Sequence, residues 1–166
     1  AFSPDGSTLA AGSQDGIVQL WDSATGQAIG QPWMDHMQKV SSLSFSPDGQ
    51  FILTDEDWML RIWDTDTGQV SRAIRTMDLS GTVSYDAIWS PDGKTIVWGG
   101  PPFQDGKVVG LLDAATGGFQ SALVGQACAV WNIAYSPNTK LIGAGSDCGT
   151  VQVWDVQTGV LQGQWT

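Results

Sequence analysis

The stretch FSPDGSTLAAGSQDGIVQLWDSATG, from Phe2 to Gly26, decides the fold of this chain, because it recurs along the sequence. Further copies run from Phe45 to Gly68, from Trp89 to Gly117 and from Tyr135 to Gly159. Every copy opens with an aromatic residue followed by Ser-Pro, continues through a turn and an apolar run, and closes on Thr-Gly. Four copies of one pattern in 166 residues predict a repeat protein.

The spacing of the copies indicates what kind of repeat this is. Their Ser-Pro prolines follow one another at intervals of 43, 44 and 46 residues, at Pro4, Pro47, Pro91 and Pro137. Three copies also carry a Trp-Asp pair, and the third copy has Leu112 in place of the tryptophan. A period of about 40–45 residues with one Trp-Asp pair in each unit is typical of a β-propeller blade. On these residues, essentially the whole chain resembles the WD-repeat β-propeller family.

Each copy is interpreted as four short strands running from the inside of the propeller to the outside. In the first copy, Thr8 to Ser13 and Ile17 to Trp21 form two strands around a Gln14-Asp15-Gly16 hairpin turn. This copy is short by most of its innermost strand. We therefore predict an all-β protein of four antiparallel four-stranded WD-repeat blades in one domain, residues 1–166. The expected blades cover residues 1–35, 40–76, 83–124 and 129–166.

The composition argues against several classes of function. The chain carries 7 Lys and Arg against 17 Asp and Glu, so it lacks the cations that bind nucleic acid or an anionic membrane surface. Its apolar runs are too short for a membrane-spanning helix. With two cysteines and no secretory pattern, a cytoplasmic location is expected. Because the sequence begins at Ala1, directly before the first triplet, we expect it to be a segment of a longer chain.

In WD-repeat proteins a His, a Ser or Thr, an Asp and the repeat Trp form a hydrogen-bonded set in each blade. The resemblance assigns these structural roles to Ser13, Asp15 and Trp21 in the first blade, His36, Asp57 and Trp63 in the second, and Ser146 and Trp154 in the fourth. Asp55 stands where the second blade would have Ser or Thr, and no blade has the complete set. The three tryptophans are expected to be buried between blades, and Leu112 is expected to weaken the third blade.

The family binds partners on a rim around its central channel, where the innermost strands begin. By the resemblance, the rim candidates in this chain are Lys39, Ser41, Glu56, Trp131 and Asp147. Trp131 is the most informative of them, because tryptophan is enriched among the residues that dominate binding energy. It either lies open on the rim or packs against the neighbouring blade.

Other polar clusters favour structural roles, and no metal or cofactor is expected. Asp35-His36 suggests acid–base chemistry, but His36 fits the structural histidine of the repeat. The stretch from Asp64 to Gly68 opens like a calcium loop without its later ligands, which favours an Asp-capped turn. The acids from Asp55 to Asp57 are interpreted as a solvated turn. Cys128 and Cys148 are expected to be a free pair, with a disulfide or redox switch as the less favoured alternative.

These observations favour a non-catalytic scaffold that presents a rigid rim to peptides or protein domains. The acidic charge favours basic or amphipathic partners. Two alternatives are the sensing or assembly part of a larger regulatory protein, and a hydrolase with a site in the channel. Four blades leave two apolar faces uncovered, so we expect either a homodimer that closes one eight-bladed ring or membership of a larger propeller.

Overall fold

The computed structural model describes residues 1–34, 38–56, 58–76, 83–103, 106–125 and 128–166. Within these residues fifteen β-strands form four antiparallel sheets, each built from strands that are consecutive in sequence. The all-β fold of four blades predicted from the repeats is therefore confirmed.

The strands follow the repeat pattern closely. The first two blades contain β1 (Thr8–Gly12), β2 (Val18–Asp22), β3 (Ala28–Trp33), β4 (Ser42–Phe45), β5 (Phe51–Asp55), β6 (Met59–Asp64) and β7 (Val70–Arg75). The last two contain β8 (Asp86–Trp89), β9 (Thr95–Phe103), β10 (Lys107–Asp113), β11 (Phe119–Val124), β12 (Val130–Tyr135), β13 (Leu141–Ser146), β14 (Val151–Asp155) and β15 (Leu161–Trp165). In each of the three complete blades the first of the four strands is innermost and the last is outermost.

The first blade has three strands, while the other three have four. Only one isolated bridge, from Phe2 to Leu9, stands where the other blades have an innermost strand. This agrees with the expectation that the first copy is short by most of that strand.

Hydrogen bonds from hydroxyl groups to aspartates fix the turns of each repeat. The Ser3 hydroxyl donates to the Asp5 carboxylate over 2.6 Å and, with further bonds from Ser7, lowers the pKa of Asp5 to about 2. In the turn from Asp64 to Gly68, the hydroxyl and the backbone N–H of Thr67 both donate to Asp64 over 2.8 Å and lower its pKa. This stretch is the Asp-capped turn that the sequence favoured over a calcium loop.

The core consists of three apolar clusters, one between each pair of neighbouring blades. Side chains alternate between the two faces of a strand, so an internal blade buries both of its faces. Trp63 is 1% exposed and stacks on Trp33 of the first blade, with ring centroids 5.5 Å apart. Its indole N–H donates to the Thr54 hydroxyl over 2.9 Å. Trp154 is fully buried and donates to the carbonyl of Val124 in the third blade over 2.8 Å.

Trp21 does not follow the other two repeat tryptophans. It was expected to be buried between blades, but the structure leaves it half-buried. The outermost strand of the preceding blade covers Trp63 and Trp154, whereas Trp21 belongs to the first blade of the chain. Its burial therefore depends on an element outside these four blades.

The third blade replaces its missing tryptophan from the neighbouring strand. Leu112 is fully buried, and so is Trp98, which lies on β9 directly opposite Gly110 of β10. A Cβ at Gly110 would collide with the Trp98 ring, so the glycine makes room for it. Trp98 also stacks on Phe103 at 5.0 Å. The expected weakening of this blade is thus offset by an aromatic ring in a shifted position.

Trp63→Ala is expected to lower the free energy of unfolding by about 3–5 kcal/mol, because it leaves a cavity under Trp33 between the first two blades. Urea denaturation followed by circular dichroism measures this loss. Trp58→Ala is the matched control, because its side chain is exposed on the adjacent hairpin, and it should cost less than about 1 kcal/mol. Equal losses for the two variants would contradict the packing described here.

Candidate functional site

The surface where the innermost strands begin is named here the upper rim. Val130, the first residue of β12, pairs with Ser146, the last residue of β13. The start of an innermost strand therefore lies beside the hairpin that joins the second and third strands of its blade. In the last blade this arrangement brings Trp131 next to Asp147 and Cys148.

Trp131 projects from the upper rim because it occupies a β-bulge. Val130 pairs with Ser146 and Asn132 pairs with Gly145, so Trp131 is an extra residue in β12. A bulge of this kind turns a side chain away from its regular direction. One face of the indole stacks on Tyr85 of the third blade, with centroids 4.4 Å apart, yet the residue is 52% exposed. Trp131 thus both packs against the neighbouring blade and stays open to solvent.

Cys128 and Cys148 form a disulfide, which corrects the expectation of a free pair. Their Cα atoms are 6.0 Å apart, within the range that a disulfide requires. The bond joins the residues before β12 to the β13–β14 hairpin, where the Asp147 N–H also donates to the carbonyl of Ala129 over 3.1 Å. These two links fix the backbone immediately before the Trp131 bulge.

A carboxylate oxygen of Asp147 lies within 4.8 Å of both sulfur atoms of this disulfide. Three such groups could hold a metal ion, but sulfur atoms bonded to each other are not thiolate ligands. Asp147 and Cys148 are exposed and Cys128 is half-buried, so the bond lies at the surface of the rim.

Two other rim candidates, Lys39 and Ser41, are exposed just before β4. Glu56 is different, because it is only 2% exposed and forms an ion pair with Arg61. Asp55 is also buried and accepts a hydrogen bond from the Ser84 hydroxyl over 2.6 Å. The acids of this turn were interpreted as solvated, which is wrong for Asp55 and Glu56, and Glu56 presents no surface on the rim.

The residues assigned to the family's hydrogen-bonded set make other contacts. The Ser146 hydroxyl pairs with that of Thr150 at 2.7 Å, and the Ser13 hydroxyl accepts from the N–H of Ile17 over 3.1 Å. Asp15 is exposed. His36 and Asp57 lie outside the described residues.

In the second blade the hydroxyl that receives the Trp63 N–H belongs to Thr54, one residue before the position assigned to it. The register explains the difference: Ile52 pairs with Trp63, and Thr54, two residues further along β5, lies on the same face of the strand. A count of strand residues from the paired position would have found it.

Sequence reasoning also missed Asp86, which joins three blades near the channel. Its carboxylate accepts a hydrogen bond from the N–H of Ile133 in the fourth blade over 2.8 Å, and the Ser42 hydroxyl of the second blade also donates to it. Burial raises the pKa of Asp86, and these hydrogen bonds offset only part of that effect. A lone Asp at the start of a strand carries no signal of this role.

The four blades and their aromatic rim define a repeat-built propeller module of the kind that binds other proteins. The chain belongs to the WD-repeat family: a match to the WD domain, G-beta repeat, covers residues 1–22, 31–64 and 117–155, more than half of its length. Most of the third blade lies outside the match, as its Leu112 would suggest. Proteins of this family generally act as non-catalytic scaffolds for protein interaction.

Similar proteins include three whose names describe different settings. The chain is 28% identical over 156 residues to periodic tryptophan protein 2 of Arabidopsis thaliana, covering 93% of this chain and 17% of that protein. It is 34% identical over 115 residues to WD repeat and SOCS box-containing protein 1 of Xenopus tropicalis, covering 68% and 25%. It is 27% identical over 123 residues to small ribosomal subunit protein RACK1 of Medicago sativa, covering 65% and 36%.

The chain thus spans less than half the length of each of these three relatives. Within the part of the chain that the structure describes, no helix has the length and apolar character to cross a membrane.

Replacing both cysteines with serine is expected to lower the free energy of unfolding by about 3 kcal/mol, because the disulfide closes a loop of about twenty residues in the unfolded chain. Urea denaturation under oxidising conditions measures the loss. Dithiothreitol should bring the wild type to the value of the Cys128→Ser, Cys148→Ser variant and leave that variant unchanged. A wild type that does not respond to dithiothreitol would show that the disulfide is not formed.

Asp86→Asn is expected to stabilise the protein more at pH 7 than at pH 3. The raised pKa means that the folded state holds this proton more tightly than the unfolded state does. Stability from this group is therefore present below the ordinary pKa of Asp and is lost as the pH rises through the folded pKa. Asparagine keeps an acceptor for Ile133 and removes the charge. Melting temperatures of both proteins at the two pH values test this, and a pH-independent difference would contradict it.

Proposed function

We propose that this chain is a non-catalytic interaction scaffold whose upper rim binds a peptide or protein domain around Trp131. The observation that carries the proposal is a tryptophan held by a bulge, packed on Tyr85 and still 52% exposed. Large aromatic side chains that are fixed in advance lose little conformational freedom on binding, which is why they dominate many interfaces.

The chemistry of the rim suggests what the partner presents. An apolar or aromatic side chain of the partner would cover the open face of Trp131 and bury its surface. Asp147 beside it, and the net charge of −10, favour a partner with Lys or Arg next to that side chain. Lys39 and Ser41 lie on the same rim and complete the proposed binding surface.

We propose further that the chain works in the cytoplasm as a homodimer or within a larger propeller, as the sensing or assembly part of a regulatory protein. The lengths of its relatives support a place within a larger architecture. In a reducing compartment, disulfides are typically transient or redox-sensing. The exposed Cys148 is consistent with such a bond on the rim.

A randomised peptide library displayed on phage and selected on the immobilised protein tests the rim. We expect enriched peptides to combine basic residues with an aromatic or large aliphatic residue. Trp131→Ala should weaken their binding by about 2 kcal/mol or more, roughly thirtyfold in Kd, measured by fluorescence anisotropy.

The matched control is Phe119→Ala, which removes an exposed aromatic side chain from the outermost strand of the third blade. It should leave peptide affinity unchanged. Peptides that bind Trp131→Ala and wild type equally well would refute the proposed rim site.

A further inference from the structure

The outward face of the first blade has the character of one side of a blade junction. Leu9 and Trp21 pair across β1 and β2, and their neighbour Ala10 packs toward the second blade. Because side chains alternate along a strand, Leu9 and Trp21 point away from that blade. In the second blade, Ile52 and Trp63 form the equivalent pair, and the first blade buries them.

The outward face of the last blade has the character of the other side. Trp154 faces the third blade, so Val151 and Val153 of β14 point the opposite way, and Val151 is exposed. Their equivalents in the first blade are Val18 and Leu20, which are buried against the second blade.

A tryptophan on the outermost strand marks the same correspondence. Val18 pairs with Trp33 in the first blade, and Val151 pairs with Trp165 in the last. Trp165 therefore holds the position from which Trp33 stacks on Trp63 of the following blade. Trp165 is 58% exposed.

The Thr-Gly turns show which side of the first blade is open. A Cβ added at Gly68 would collide with the Trp33 ring, one at Gly117 would lie 3.0 Å from Ile74, and one at Gly159 would lie 3.7 Å from Leu123. In each case the neighbour belongs to the outermost strand of the preceding blade. A Cβ at Gly26, the equivalent glycine of the first blade, would meet open space.

We propose that Trp165 of one copy of this chain stacks on Trp21 of a second copy, in a junction that repeats the Trp33–Trp63 contact. A two-fold axis gives two identical junctions, and eight blades close into one ring. The proposal extends the assembly proposed above and commits it to a second copy of this chain, because its two uncovered faces complement each other as the internal junctions do.

The charge of the chain does not oppose this contact. The strand residues that point outward on the two faces are uncharged through their central part: Leu9, Ala11, Gln19, Trp21, Leu141, Gly143, Gly145, Val151 and Val153. The acidic residues of the described turns, such as Asp5 and Asp22, lie at the ends of the strands. Apolar surface can therefore be buried without bringing carboxylates together in the middle of the junction.

Light scattering on a sizing column tests the proposal with the wild type and Trp165→Glu. We expect the wild type at twice the chain mass of 17.6 kDa and Trp165→Glu at the chain mass. The dimer dissociation constant should rise roughly tenfold or more, because a carboxylate would replace a buried ring. Circular dichroism should show unchanged β-structure, since Trp165 is exposed in the single chain.

Phe119→Glu, at an exposed aromatic residue of an internal blade, is the matched control and should remain a dimer. A wild type at the chain mass would overturn the proposal and indicate that blades of a longer chain cover these faces. A dimer insensitive to Trp165→Glu, or an open-ended series of larger species, would overturn it as well. Mass is measured without a rim peptide, so a dimer that binds no peptide would refute the rim site alone.

Discussion

Contact between the outermost strand of one blade and the central tryptophan of the next is the interaction on which this structure depends. Trp33 covers Trp63, and the carbonyl of Val124 receives the indole N–H of Trp154. A single sheet has two apolar faces and cannot bury either alone, so each blade derives its stability from its neighbours. Where no neighbour is present, as at Trp21, the same residue type is left half-buried.

This constraint acts on the volume between blades more than on the identity of one residue. The third blade has Leu112 in the tryptophan position and places the large ring on the adjacent strand, at Trp98. Gly110 provides the space that the ring fills. Cores tolerate such exchanges when total volume is maintained. A repeat can therefore lose its signature residue and still pack tightly.

The upper rim shows how a rigid scaffold presents a binding residue. A bulge directs Trp131 outward, Tyr85 of the neighbouring blade supports one face of its ring, and the Cys128–Cys148 disulfide fixes the adjacent backbone. The aromatic surface is thus fixed in advance by two blades. Its position ties the proposed partner site to the same blade junctions that stabilise the fold.

The sequence by itself determined the number of blades, the positions of the strands and the turns between them. These features are local: a Ser-to-Asp hydrogen bond spans two residues, and a strand reveals its buried face by alternation. The tertiary structure decided that Trp21 is half-open, that Glu56 is buried against Arg61, and that Cys128 meets Cys148. Each of these outcomes depends on which blade or hairpin comes to lie beside the residue, and distances between elements far apart in the chain are set only when the blades pack.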